Sequence, residues 1–201
     1  MSKEDTGAES LQLPAEVCAL LCDVLPRATD FDAAMAVVER VRQTMLGDGL
    51  LTVNKVSTWA ASADEFELQR LWSSNAQAYP VAGLKRKTLT SWSRHLLLRH
   101  EVFVGEGAGV LAAVFDDHPR IAALGLCSVV NVPLLIGARC VATFNVLGSQ
   151  AQWRASDVAL IRLLALLATP CIFQVASLYR PLSDTLLSQI NVYKPKTLKR
   201  I

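Results

Sequence analysis

Three polar residues interrupt two apolar segments that otherwise suit a buried β-sheet. The segments lie within residues 127–149, CSVVNVPLLIGARCVATFNVLGS, and the polar residues are Asn131, Thr143 and Asn145. Gly137-Ala138 between the segments is typical of a hairpin turn. A buried amide must find hydrogen-bond partners, and a register change of one residue reverses which residues share a face. The three residues therefore form either the floor of a ligand pocket or partners for backbone groups at strand ends.

Length and composition predict one folded domain with terminal extensions. The 201 residues are 52% hydrophobic, and the formal net charge is +2. This composition supplies a core, and the near-neutral charge gives no strong field to attract nucleic acid. We expect residues 1–12 to form a disordered tail, residues 13–180 the domain, and residues 181–201 an extension with a basic end.

The N-terminus and the cysteines predict a cytoplasmic protein. MSKEDTGAES is acidic and polar, unlike a signal peptide. Arg162, Pro170 and Gln174 confine the most apolar segment, residues 163–173, to roughly half of a bilayer span. The five cysteines include no CxxC pair and lie among apolar residues, where reduced thiols pack as small hydrophobes. We therefore expect neither a membrane partner nor a disulfide framework.

The periodicity of apolar residues in the first half of the chain predicts a helix followed by a hairpin. Residues 50–59 and 66–74 form its two strands, with Phe66, Leu68 and Trp72 on one face. Residues 76–87 contain proline, glycine and three cations, which favours a loop. A second hairpin follows at residues 127–148.

The last predicted helix, residues 156–179, is apolar around most of its circumference. Such a helix needs a second partner besides its own sheet, and a second copy of the chain is the simplest one. The whole order is helix, hairpin, helices around one strand, hairpin and helix. It is typical of an α+β arrangement.

This order, together with the second hairpin, resembles the GAF domain, a family of small-molecule sensor modules. The matching residues are Gly125-Leu126, Ser128-Val129-Val130, Val132-Pro133-Leu134, Gly137, Trp153 and Asp157, within about residues 28–178. The resemblance implies an α/β/α sandwich with a central antiparallel sheet of five to six strands and a pocket on one face. It also implies a homodimer through the terminal helices, with a separate effector protein carrying any output.

Under this resemblance, residues 79–97, YPVAGLKRKTLTSWSRHLL, lie close to the cover of the pocket. Their aromatic and cationic groups favour an anionic or aromatic small molecule as the ligand. Arg86 and Lys87 are expected to form a solvated charge cluster. The predicted ligand-binding residues are Tyr79, Lys85, Trp92, Phe115, Asn131, Thr143 and Asn145.

Two alternatives to a sensor remain open. Cys127 and Cys140 could approach each other across the hairpin, which would suit a small thiol-dependent enzyme similar to the free methionine sulfoxide reductases of this fold. No neighbouring residue would lower a thiol pKa, so we predict core packing and no catalytic residue. The second alternative is a ligand-free dimerisation or adaptor module.

The sequence argues against two kinds of ligand and names no cofactor. The cyclic-nucleotide members of the family pair Asn-Lys with a later Asp-Glu, whereas Asn145 and Asp157 are each followed by valine here. The three histidines are not spaced as metal ligands are, so no metal is predicted.

Overall fold

The structure is a computed structural model that describes residues 10–59, 65–81 and 84–175. Its strands are β1 (Gly49–Trp59), β2 (Glu65–Ser73), β3 (Leu84–Thr88), β4 (Phe103–Glu106), β5 (Ser128–Ile136) and β6 (Arg139–Gly148). Its helices are α1 (Ala15–Ala19), α2 (Phe31–Leu46), α3 (Ser91–Ser93), α4 (Ala108–Val114), α5 (His118–Ala123) and α6 (Ala155–Val175). A π-helical segment, Leu20–Val24, continues α1, and another, Arg94–Leu98, continues α3. The predicted C-terminal extension and most of the predicted N-terminal tail lie outside the described residues.

The described strands form one antiparallel sheet in the order β3-β2-β1-β6-β5-β4. Helices α1, α2 and α6 pack on one face of this sheet. Helix α3 with its π-helical continuation and helices α4 and α5, which together we call the cover, lie on the other face. The predicted α+β sandwich is therefore confirmed, with six strands in its central sheet.

Side chains of the central strands alternate between two cores. On the side of the terminal helices, the strands contribute Val53, Val130, Val132, Phe144 and Val146, which pack with α2 and α6. On the cover side, the same strands contribute Leu50, Val129 and Leu147, which pack with Leu111 and Ile121 of the cover. Successive residues of a strand point to opposite faces. The residue between Val130 and Val132 and the residue between Phe144 and Val146 therefore face the cover.

A β-bulge in the first hairpin changes one predicted face. Phe66 and Leu68 share one face, as predicted, and this face is on the cover side. The prediction that Trp72 joins them is wrong, because Trp72 packs against the core of the terminal helices. The register of β1 and β2 shifts between Val53 and Asn54. A bulge reverses the alternation beyond it, so a simple period of two misplaces Trp72.

The prediction of a loop over residues 76–87 is wrong at its C-terminal end. Residues 84–88 form β3, which pairs with β2 so that Lys85 lies opposite Leu68 and Lys87 opposite Phe66. This strand is an edge of the sheet, where charged side chains discourage pairing with other chains. Its sequence, LKRKT, has no apolar alternation that would identify a strand.

Helix α6 is longer than the apolar segment that the sequence suggested. By length and composition it could cross a membrane, with a mean hydropathy of 2.0 over 18 of its residues. The core helix of a soluble protein passes the same test, and one side of α6 is buried in the core through Leu160, Ile161 and Leu164. Its other side carries the exposed side chains of Leu166 and Leu167.

Candidate functional site

The register of the second hairpin places the three polar residues on one face. The two-residue turn at Gly137 and Ala138 alone would place Asn131 opposite Phe144, but a register shift between Leu134 and Leu135 places it directly opposite Asn145. On the next strand, Thr52 lies opposite Asn145. Thr143, two residues before Asn145, therefore shares that face as well. All of these side chains point toward the cover. From the sequence alone, they could form either a pocket floor or partners for backbone groups.

A chain of hydrogen bonds connects the cover to the floor of the site. The indole Nε1 of Trp92 donates to Asn131 Oδ1 at 3.0 Å, and Asn131 Nδ2 donates to Asn145 Oδ1 at 2.9 Å. Asn145 Nδ2 in turn lies 3.2 Å from Thr143 Oγ1 and 3.3 Å from the carbonyl oxygen of Thr52. Asn145 thus bonds a backbone group, whereas Asn131 links the side chain of Asn145 to the cover.

These amides keep capacity for further hydrogen bonds. The Nδ2 atom of Asn131 carries two hydrogens and makes one bond to Asn145. Each amide oxygen has two lone pairs and accepts one bond in this chain. The floor is therefore rigidly held and can still bind a polar group above it.

A cavity of about 100 Å³ lies between this floor and the cover. Its polar lining is formed by Thr52, Asn54, Asn131 and Asn145, and its apolar lining by Leu68, Trp92, Phe115, Ile121, Val129 and Leu147. Its charged and phenolic groups are Arg70, Lys85, Lys87, Asp117 and Tyr79. The rings of Trp92 and Phe115 meet edge to face with centroids 5.3 Å apart. A mostly apolar cavity with a few convergent polar groups is typical of a small-molecule site.

The cationic groups of the cavity come from the first hairpin and its edge strand. Lys85 and Lys87 occupy alternate positions of β3, which places both side chains on the cavity face, whereas Arg86 between them points to the other face. Arg86 pairs there with Glu67, its Nη2 lying 3.3 Å from a carboxylate oxygen. The prediction of a solvated cluster is therefore wrong for Lys87, which lines the cavity.

Arg70 is the cation that is held most firmly in the site. Its guanidinium stacks 4.7 Å from the centroid of the Tyr79 ring, and its Nη1 donates to the carbonyl oxygen of Pro80 at 3.3 Å. Burial lowers the pKa of Arg70, but an arginine side chain stays protonated in proteins. Burial, together with the neighbouring Asp117 carboxylate, raises the pKa of Tyr79, so its hydroxyl stays protonated. The site therefore presents a fixed positive charge beside a neutral phenol.

Six of the seven predicted ligand-binding residues line the cavity: Tyr79, Lys85, Trp92, Phe115, Asn131 and Asn145. Thr143 is not among the lining residues; it is buried beside the floor and supports Asn145. The prediction did not include Thr52, Asn54, Arg70, Lys87 or Asp117. Thr52 and Asn54 are two residues apart in β1, so the sequence does contain the alternation that places both on one face.

The two cysteines of the alternative enzyme lie at opposite ends of the second hairpin. Cys140 lies opposite Leu135 near the turn, whereas the amide of Cys127 bonds to Gly148 at the far end. Eight residues of strand separate these positions, on the order of 25 Å, so the predicted approach is wrong. Burial raises the pKa of the Cys140 thiol to about 12, and its Sγ donates to the carbonyl oxygen of Ala142. A neutral, buried thiol is a poor nucleophile.

No group of three His, Cys, Asp or Glu side chains in the described part of the chain is placed to hold a metal ion. Asp157 forms an ion pair at 2.8 Å with Arg154 at the start of α6. It also accepts from the amide of Arg154 at 3.1 Å, so this carboxylate caps a helix.

Solved structures of low sequence identity share this fold. The chain is 10% identical to the GAF domain from a phosphoenolpyruvate-protein phosphotransferase of Coxiella burnetii, covering 82% of this chain and 96% of that one with a TM-score of 0.56. It is 15% identical to the GAF domain of a two-component sensor histidine kinase from Bacillus halodurans, covering 74% and 97% with a TM-score of 0.52.

A third similar structure is the chromophore-binding domain of a bacteriophytochrome from R. palustris. The identity is 15%, the TM-score is 0.51, and the match covers 80% of this chain and spans 61% of the other. No family model matches the chain, and no curated protein matches it in sequence. The chain therefore has the GAF fold, which confirms the fold that the sequence resemblance implied.

Replacing Asn145 tests the hydrogen-bond chain of the floor. We expect Asn145→Leu to lower the free energy of unfolding by about 1–3 kcal/mol, because it leaves the buried Asn131 amide without its acceptor. Thr143→Val removes one of several acceptors of Asn145 and should cost less. Urea unfolding measures both variants, and equal losses would contradict the chain as described.

The Cys140 thiol predicts a loss of stability at alkaline pH. Its pKa is raised from 9.0 to about 12 in the folded protein, so above pH 9 the unfolded chain releases a proton that the folded chain keeps. The free energy of unfolding should therefore fall with rising pH, by up to about 1.4 kcal/mol per pH unit from this group. Urea titrations from pH 8 to pH 10 should give a shallower slope for Cys140→Ala. Parallel slopes would show that the thiol is not buried as a neutral group.

Proposed function

We propose that this protein is a sensory domain that binds a small anionic molecule between its sheet and its cover. Arg70 is the observation that carries the proposal. Its Nε is buried and has no hydrogen-bond partner. A buried donor without a partner is costly, and a bound anion would supply a charge-assisted partner.

The remaining lining of the cavity supports the same class of ligand. Lys85 and Lys87 add two positive charges, and the described lining contains one carboxylate, that of Asp117. The amides of Asn131 and Asn145 offer neutral donors and acceptors at the floor. Such a combination binds an anion and fixes its orientation.

The similar structures support the sensory part of the proposal. One belongs to a two-component sensor histidine kinase, and another is a chromophore-binding domain. In this proposal, ligand binding changes how the domain acts on a separate effector protein. We propose a cytoplasmic and non-enzymatic role, which agrees with five free cysteines and with the neutral thiol of Cys140.

We also propose that the domain acts as a homodimer through α6. The side chains of Leu166, Leu167 and Val175 on this helix are 67%, 37% and 47% exposed. Leu166 and Leu167 are adjacent on this helix, and exposed apolar side chains that lie together favour an interaction site in soluble proteins. A second α6 offers a complementary apolar surface and is the simplest partner.

Neighbouring cations on β3 give a matched test of ligand binding. In a thermal-shift screen of small anionic metabolites, a ligand at a hundredfold excess over its Kd should stabilise the protein by about 2.7 kcal/mol. Lys85→Gln should reduce this shift, because its side chain lines the cavity. Arg86→Gln removes the same charge from the other face and should leave the shift unchanged. If no anion stabilises the wild type, the proposed function is wrong.

The dimer predicts that a charge on α6 separates the two copies. We expect Leu166→Glu to convert the protein from dimer to monomer in light scattering after size-exclusion chromatography, since burying a carboxylate in an apolar interface is unfavourable. Leu124→Glu, at an exposed leucine directly after α5, is the control and should remain dimeric. A monomeric wild type would contradict this part of the proposal.

A further inference from the structure

The cations of the cavity form a row along its edge. Lys85 and Lys87 are two residues apart on β3, so their Cα atoms are roughly 7 Å apart on one face. Arg70 lies two residues beyond Leu68, the residue opposite Lys85, which makes Arg70 a diagonal neighbour of Lys85. One end of the row therefore holds a guanidinium and the other end two ammonium groups.

The guanidinium of Arg70 has one free edge. Its Nη1 is used by the carbonyl oxygen of Pro80, and the Tyr79 ring covers one of its planes. Its Nε has no partner, so Nε and Nη2 present two parallel N–H groups. This edge matches the two oxygens of a carboxylate.

The lysine end of the row also keeps its positive charge available. Lys87 Nζ lies 3.1 Å from Asp116, whose side chain is 92% exposed. Solvent and salt weaken an ion pair of this kind. Lys85 has no ion-pair partner among the residues that the structure describes.

The apolar lining of the cavity lies beside the charged row. Leu68 lies between the two ends of the row, and Phe115, Ile121, Val129 and Leu147 complete this apolar lining. A hydrocarbon chain would pack on these side chains, whereas charged oxygens placed against them would lose hydration without compensation. The small cavity volume favours a short chain.

We propose that the cavity binds a short-chain dicarboxylate, and this inference rests on the proposed function. One carboxylate binds the free edge of Arg70, and the other binds between Lys85 and Lys87. The carbon chain between them lies on Leu68 and the apolar lining. Three cations and one carboxylate line the cavity, so a dianion balances its charge.

Calorimetric titration of the full chain with five probes tests the inference. The probes are succinate, glutarate, adipate, butyrate and inorganic phosphate. We expect one of the three dicarboxylates to bind at least about tenfold more tightly than butyrate, a single carboxylate of similar size, and more tightly than phosphate. That dicarboxylate should lose about tenfold in affinity with Arg70→Lys, which keeps the charge and removes the two-pronged edge.

Two further variants locate the second carboxylate. Lys85→Gln should weaken the dicarboxylate and leave butyrate binding unchanged, whereas Arg86→Gln should affect neither. Circular dichroism establishes whether each variant is folded. If Arg70→Lys does not fold, the affinity of Lys85→Gln for the dicarboxylate tests the inference.

The possible failures are distinguishable. If butyrate or phosphate binds as tightly as every dicarboxylate, the dicarboxylate inference is wrong and the anion-binding domain stands. If none of the five probes binds and the anion screen also finds no ligand, both proposals are wrong. If a different anion from the screen binds and the dicarboxylates do not, the inference alone is overturned.

Discussion

The hydrogen bond between the amides of Asn131 and Asn145 is the constraint on which the site depends. Two amides buried on neighbouring strands must face each other to be satisfied. A slip of one residue between the two strands would place the two amides on opposite faces, with one of them in the apolar core. The pair therefore fixes the register of the hairpin, and the indole of Trp92 fixes the cover to it.

The same alternation divides the molecule into a half that supports the fold and a half that can bind. One face of β5 and β6 is apolar throughout its central part and packs on α2 and α6. The opposite face combines apolar residues with amides and meets a thinner cover, which leaves the cavity. Because the two faces use different residues of the same strands, substitutions in the floor leave the packing of the terminal helices intact.

The second hairpin could be predicted because its signal is local, whereas the pairing of its polar residues could not. Two apolar segments joined by a two-residue turn indicate a hairpin, but a register shift between Leu134 and Leu135 places Asn131 beside Asn145 instead of Phe144. The cover was predictable only from the family resemblance. Arg70 and Lys87 were not predicted as cavity residues, because their positions depend on pairing with distant residues. The bulge next to Asn54 interrupts the alternation around Arg70, and β3 is a strand only through its pairing with β2.

The cysteines show the opposite limit of sequence reasoning. Cys127 and Cys140 are close in the sequence, and a hairpin between them suggests proximity. The register instead places one thiol at each end of the ladder. Local sequence thus determines that a hairpin exists, whereas the separation of two side chains across it requires the positions of both strand ends.

The order of the strands also determines when the cavity can appear during refolding. The pairing of β1 with β6 joins Thr52 to Asn145, 93 residues later in the chain. Contacts of such long sequence separation form slowly, after local hairpins have closed. The floor of the cavity is thus completed at a late stage, when the two halves of the sheet meet. A molecule that binds only the completed floor would slow unfolding and leave the rate of refolding nearly unchanged.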